Sequence, residues 1–181
     1  MVYEFLANGF EETEAITPVD LLVRGGLEVK LVSVTGEKMV TGSHGFKIEA
    51  DLLFEEADFG NAELVILPGG MPGTNNLGAH KGLVNLLKER NERKERIAAI
   101  CAAPMVFARN GILDEKKAIC YPGCESELSK ALIQDAKVVT DGHITTGMGP
   151  GTAMDFGIEL LKLLKGEEIS DQVAKAFLFK K

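Results

Sequence analysis

The chain has no tryptophan, and its 181 residues include only three cysteines, three histidines and two tyrosines. Three cysteines are too few, and odd in number, for the disulfide framework of a secreted domain, so a reducing cytoplasm is the expected setting. No apolar run approaches the roughly 20 residues of a membrane span, and no membrane partner is expected. The stretch MVYEFLANGFEETEA has no basic region before it turns acidic, so it does not read as a signal peptide. Basic residues are in deficit, 20 Lys and Arg against 27 Asp and Glu, which gives a net charge of -7. With no basic stripe to offset that balance, nucleic acid is not an expected partner. The one dense charge run, Lys88 to Arg96, mixes signs and reads as a solvated helix face.

What is abundant is apolar sequence, at 45%, and glycine, at 20 residues. This supports a single domain over residues 1–181 with a sizeable core. Val2–Ala7, Glu28–Val34, Glu63–Leu67, Ile97–Ile100 and Lys117–Cys120 read as strands. Glu12–Arg24 carries Ala15, Val19, Leu22 and Val23 on one stripe and reads as an amphipathic helix. Pro18 is expected to bend it or mark a weak point. Further helices are expected at about His80–Glu92, Ala102–Arg109, Glu125–Ile133, Thr152–Leu164 and near Ser170–Ala176. Gly36–Ile48 reads as short strands or a hairpin. Asp141-Gly142 marks a hairpin turn between Lys137–Thr140 and His143–Thr146. Apolar strands alternating with helices indicate a mostly parallel sheet covered on both faces. The expected architecture is flavodoxin-like, α/β and doubly wound, with its site at the carboxyl ends of the strands.

Three of those strand ends carry chemistry. In Ala98–Pro104 (AAICAAP), Cys101 falls where an apolar strand meets a helix. A sharp strand-to-helix turn projects its middle residue and crowds the positions two before and two after. Ala99 and Ala103 are small enough for both, which is the pattern of a nucleophile elbow. The following helix N-terminus is expected to make the thiol acidic. A buried structural cysteine is the competing reading. Gly69 and Gly70, after the strand ending at Leu67, let the backbone approach a ligand and point N–H groups at it. Together with the N–H after Cys101, they can form an oxyanion hole. Glu11, Glu12 and Glu14 open the first helix. Their ordinary role is to complement the helix dipole, but this turn can face the elbow. A carboxyl facing a thiol has its pKa raised and can move a proton, which makes Glu14 the candidate partner of Cys101.

The remaining candidates are weaker. His44, His80 and His143 are not placed by sequence as a base. Cys120 and Cys124 lack the further ligands a zinc site needs, and a resolving-thiol role is the only other chemistry they suggest. Gly147–Gly151 (GMGPG) is neither a dinucleotide fingerprint nor a phosphate loop. No metal and no organic cofactor is expected.

Glu11–Glu14, Pro18–Asp20, Leu67–Gly70, Ala98–Pro104 and Gly149–Thr152 together resemble the ThiJ/PfpI superfamily. Their order and spacing are similar to the branch of the Parkinson-disease-associated protein deglycase and bacterial YajL. The resemblance runs over nearly the whole chain. It implies a flavodoxin-like sandwich, a homodimer, a reactive Cys101 and a Glu14 carboxyl bonded to its sulfur. It also implies Gly70 and Ala102 as backbone donors, and a pocket that includes Gly69, Tyr121 and His44. Tyr121 stands where the deglycase has a histidine before proline, and His44 and Met148 stand where it has arginines, so a less basic pocket is expected. The implied activity is a cofactor-independent glyoxalase or deglycase acting on small 2-oxoaldehydes or glycated protein. The alternative is a redox sensor or chaperone acting through oxidation of Cys101. A cysteine peptidase is a weaker expectation, because Ala102 stands where that branch has a histidine.

Overall fold

The computed structural model describes residues 1–180. Its strands are β1 (Val2–Leu6), β2 (Val29–Ser33), β3 (Met39–Thr41), β4 (Lys47–Glu49), β5 (Leu52–Leu53), β6 (Leu64–Leu67), β7 (Arg96–Ile100), β8 (Lys117–Ala118), β9 (Leu132–Ile133), β10 (Val138–Asp141) and β11 (Ile144–Gly147). Its helices are α1 (Glu12–Arg24), α2 (Gly73–Ala79), α3 (Lys81–Arg93), α4 (Pro104–Ala108), α5 (Ala153–Lys165) and α6 (Glu167–Ala176). A seven-stranded sheet runs in the order β10-β11-β7-β6-β1-β2-β5, and every pairing is parallel except β10 with β11. The central strands β1 and β6 are buried along their whole length, which explains the continuous apolar sequence of β6 and leaves Glu4 as the one charged residue of β1.

The two sides of the sheet are built differently. Tyr3 and Phe5 of β1 stack with Phe54 and Phe59 on one side, and Phe54 continues onto His80 at the start of α3. On the other side α1 packs on α5. There Gly157 lets the helices close: a Cβ on it would lie 2.9 Å from Pro18 Cα. α1 is continuous through Pro18. The chain leaves β1 and β6 for opposite faces, so the sheet has its topological switch point between these two strands. A crevice at their carboxyl ends is the usual location of a site in such sheets.

Three expectations need correction. α2 is not among the expected elements, because the two glycines, two asparagines and threonine of GTNNLGA are weak helix formers and the stretch has no apolar period. The helix expected over Glu125–Ile133 is a 3-10 turn at Glu125–Leu128, followed by the strand β9. Leu128 is the only buried residue of that turn, so no apolar stripe supports a longer helix, and Leu132 and Ile133 pair instead with Lys117 and Ala118. The helix expected from Ala102 begins only at Pro104. β3 and β4 form the hairpin expected within Gly36–Ile48. None of the described helices is long and apolar enough to cross a membrane.

Candidate active site

Cys101 follows the last residue of β7 and has φ of 65°, a left-handed conformation that a cysteine rarely adopts. Holding a non-glycine residue there costs about 1–2 kcal/mol. The surrounding backbone keeps it in place. Its N–H donates to Gly147 of β11 at 2.9 Å, and its carbonyl accepts the Tyr121 N–H at 2.8 Å. Ala99 and Ala103 are fully buried on either side of it. Cys101 as a whole is only 8% exposed.

Glu14 reaches this turn from α1. Glu11 caps α1, its carboxylate accepting the Glu14 N–H at 2.7 Å. That cap fixes the first turn and sends the Glu14 side chain inward, where it is fully buried. Its Oε2 accepts the Gly69 N–H at 2.9 Å, and it is hydrogen-bonded to Cys101. Gly69 is bare because a Cβ there would lie 2.6 Å from Glu14 Oε2 and 2.7 Å from Cys101 Cβ. Gly70 has φ of 87°, and a Cβ on it would lie 2.5 Å from the Glu11 backbone nitrogen. The backbone N–H groups of Gly70 and Ala102 both donate toward the Cys101 sulfur. The chain therefore gathers Cys101, Glu14, Gly69, Gly70 and Ala102 at the ends of the adjacent strands β7, β6 and β1.

The electrostatics differ from the acidic thiol expected of a helix N-terminus. α4 has only five residues and starts three positions after Cys101. Burial holds the thiol well above its usual range, the Glu14 charge pushes it further, and the Gly70 and Ala102 N–H groups pull it back. Burial also lifts Glu14 to about 7; the Glu11 charge adds to the rise, while the bonds from Cys101 and Gly69 oppose it. The two groups compete for negative charge. A neutral Glu14 relieves the repulsion on the sulfur, so thiolate and protonated carboxyl belong together.

Tyr121 is half-exposed beside the elbow, with its ring against Gly149. His44 lies on the β3–β4 turn, where its Nδ1 donates to Glu12 Oε2 at 2.7 Å. Glu11, Glu12 and His44 each offer a ligand-type atom, all within 4.8 Å of one another, and are the one such group among the described residues. Glu12 already accepts from the Ser43 hydroxyl and from the backbone N–H and Nδ1 of His44, and His44 is exposed. The other two histidines are engaged elsewhere: His80 Nδ1 accepts the Leu83 N–H, and His143 Nε2 bonds Asn91 Oδ1. Sequence reasoning missed Glu4, a fully buried carboxyl on β1. Its signal was a single acidic residue inside the otherwise apolar VYEFL.

A strained cysteine on a strand-to-helix turn, beside the switch point of a doubly wound sheet, defines the class of flavodoxin-like proteins with a nucleophile elbow. The chain belongs to the DJ-1/PfpI family, whose pattern its residues 1–163 match. It is 35% identical over 175 residues to the Drosophila melanogaster protein dj-1beta, covering 96% of this chain and 94% of that one. It is 33% identical over 179 residues to the Danio rerio Parkinson disease protein 7 homolog, covering 97% and 95%. The chain spans only 40% and 45% of the Arabidopsis thaliana DJ-1 homologs B and A. The solved structure of Drosophila DJ-1beta superposes with a TM-score of 0.96 at 34% identity, over 99% of this chain and 98% of that one. That of oxidized Toxoplasma gondii DJ-1 gives 0.94 at 30% identity, over 99% and 98%.

Proposed function

We propose that this chain is a cysteine-dependent, cofactor-independent glyoxalase or deglycase. Its substrates are small 2-oxoaldehydes such as methylglyoxal, or their adducts on protein. The observation that carries this reading is the pairing of buried Cys101 with a Glu14 carboxyl that titrates near neutrality, under the N–H groups of Gly70 and Ala102. With Glu14 protonated, the Cys101 thiolate attacks the aldehyde carbon. The new C–S bond leaves an oxyanion that the two N–H groups hold until Glu14 gives it its proton. Glu14, now ionised, takes the proton from this hemithioacetal carbon and returns one to the adjacent carbon, while the hydroxyl proton passes from the first oxygen to the second. The resulting thioester of a 2-hydroxy acid is hydrolysed by water, which frees the thiol. One aldehyde and one water give one 2-hydroxy acid.

The test is anaerobic turnover of methylglyoxal by the reduced protein, with lactate quantified. Many lactates per chain, lost in both Cys101→Ser and Glu14→Gln, support the reading. Background lactate in the unaltered protein rules it out for this substrate. The second reading is a redox sensor or chaperone, favoured by the same donors around the sulfur, which would stabilise a sulfinate formed by peroxide. One stoichiometric oxidation without turnover would be its mark. A peptidase is disfavoured because all three histidines have partners other than Cys101. We also infer a cytoplasmic homodimer. Ile16 and Val23 on α1 are 43% and 52% exposed, and a second copy of the chain would cover them.

A further inference from the structure

Glu4 occupies a place in the core that normally takes an apolar side chain. It lies in the middle of β1, with Leu31 of β2 and Ile66 of β6 beside it in register, and it is fully buried. Tyr3 and Phe5 turn to the phenylalanine side of the sheet, so alternation puts Glu4 on the other side, with Leu6. Leu6 packs there with Ala15 of α1, the residue next to Glu14. Among the described residues, four buried side-chain oxygens have no hydrogen-bond partner. Three of them are Glu4 Oε1, Glu4 Oε2 and Glu14 Oε1.

Ionised carboxylates can only accept hydrogen bonds, so these three oxygens cannot satisfy one another without a bound proton. Burial raises Glu4 well above the carboxylate range, and the Glu14 charge raises it further. No cation contributes to its surroundings in a way that would favour ionisation. The other charged group near the pair is Glu11, which acts on Glu14, and Cys101 lies beyond Glu14. α5 turns its first charged residues elsewhere, Asp155 to Lys137 and Glu159 to Thr140. A neutral Glu4 has one O–H to give, and leaving it unmade in the core costs about 1–3 kcal/mol.

We propose that Glu4 is a carboxylic acid that donates its O–H to Glu14 Oε1 and is a positioning residue for the Cys101 site. Glu14 is then bonded at both oxygens, by Glu4 on Oε1 and by the Gly69 N–H on Oε2. The proton that Glu14 exchanges is thereby directed to Oε2, the oxygen nearest the Cys101 side of Gly69. The inference rests on reading Cys101 and Glu14 as the reactive pair, but it is tested without any aldehyde.

Infrared spectra and the pH dependence of Cys101 alkylation by iodoacetamide would be measured on the whole protein, Glu4→Gln, Glu4→Leu and Glu14→Gln. At about pH 9, two units above the Glu14 titration, a carbonyl band of a protonated carboxylic acid should persist in the unaltered protein. It should vanish in both Glu4 variants and change frequency in Glu14→Gln, where the acceptor is altered. Glu4→Leu leaves Glu14 Oε1 without a donor. The inflection that Glu14 imposes on the alkylation profile should then rise by about one unit. Glu4→Gln retains an N–H donor and should hold that inflection near its original pH. A band that survives in the Glu4 variants, an inflection unmoved in Glu4→Leu, or a Gln variant displaced as far as Leu would each overturn the proposal. If Glu4→Leu does not fold, the band in Glu4→Gln still decides. Absence of methylglyoxal turnover would defeat the glyoxalase reading alone and leave these readouts standing.

Discussion

Glu14 and Cys101 meet across Gly69: a Cβ on that glycine would lie 2.6 Å from Glu14 Oε2, 2.7 Å from Cys101 Cβ and 3.0 Å from the Ala102 nitrogen. The turn after β6 is bare at the one point where carboxyl, thiol and oxyanion donor converge. Gly69→Ala is therefore expected to push Glu14 away from the sulfur while leaving the fold intact. A displacement near 1 Å at a reacting group can cost on the order of 100-fold in rate. Methylglyoxal turnover should fall by about that factor, with circular dichroism unchanged. Turnover within twofold of the original would mean that the Glu14–Cys101 contact is not required.

The two residues also oppose each other electrostatically, which separates reactivity from catalysis. Burial is the larger cause of the raised Cys101 pKa and the Glu14 charge is the next. Glu14→Gln removes that charge. Above pH 7, where Glu14 is otherwise ionised, the variant should alkylate faster with iodoacetamide, by about tenfold for each unit of pKa relieved. The same variant should lose aldehyde turnover, because no group then moves the proton between the two carbons. Slower alkylation in Glu14→Gln would show that the carboxyl activates the thiol rather than restraining it.

The sheet was legible because its central strands are buried on both faces, so Leu64–Leu67 and Ile97–Ile100 read as unbroken apolar runs. The elbow was legible because its steric demand falls on near neighbours, Ala99 and Ala103. What escaped depends on distant parts of the chain. α2 is specified by its docking between Gly9 and α3 rather than by its own composition; the Gly73 N–H, for example, donates to the Gly9 carbonyl at 3.1 Å. The environment of Cys101 was only partly legible, because burial, a property of the whole fold, raises its pKa against the few N–H groups that local sequence supplies. Glu4 was passed over because the sequence of a strand does not reveal that a carboxyl of a distant element, Glu14 of α1, lies near it.

The α1–α5 contact that backs Glu14 can be tested at Gly157. A Cβ at this position would lie 2.7 Å from Leu21 Cδ1 and 2.9 Å from Pro18 Cα. Leu21 can rotate away, but Pro18 Cα belongs to the helix backbone and cannot. Gly157→Ala gains up to about 1 kcal/mol of helix propensity, while overpacking of this kind costs about 1–3 kcal/mol. The net expectation is a loss of about 1 kcal/mol, read as a lower urea midpoint with an unchanged slope. An equal or higher midpoint would show that α5 can move away from α1 without cost.

Stability should also fall with rising pH in a window set by Glu14. Its carboxyl titrates near 4.5 when free and at about 7 in the folded chain. Between these values the folded state binds more protons than the unfolded state, so stability decreases as pH rises. The contribution is fully present below about pH 4.5 and is lost as pH passes through 7. At about 1.4 kcal/mol per unit of pKa, the loss is on the order of 3 kcal/mol. Glu14→Gln binds no proton at this position in either state, so its urea midpoint should decline less over the same window. Glu4, raised for the same reason of burial, adds a decline of the same sign. If Glu14→Gln and the unaltered protein lose stability in parallel from pH 5 to 7, the buried carboxyl is not the group that titrates there.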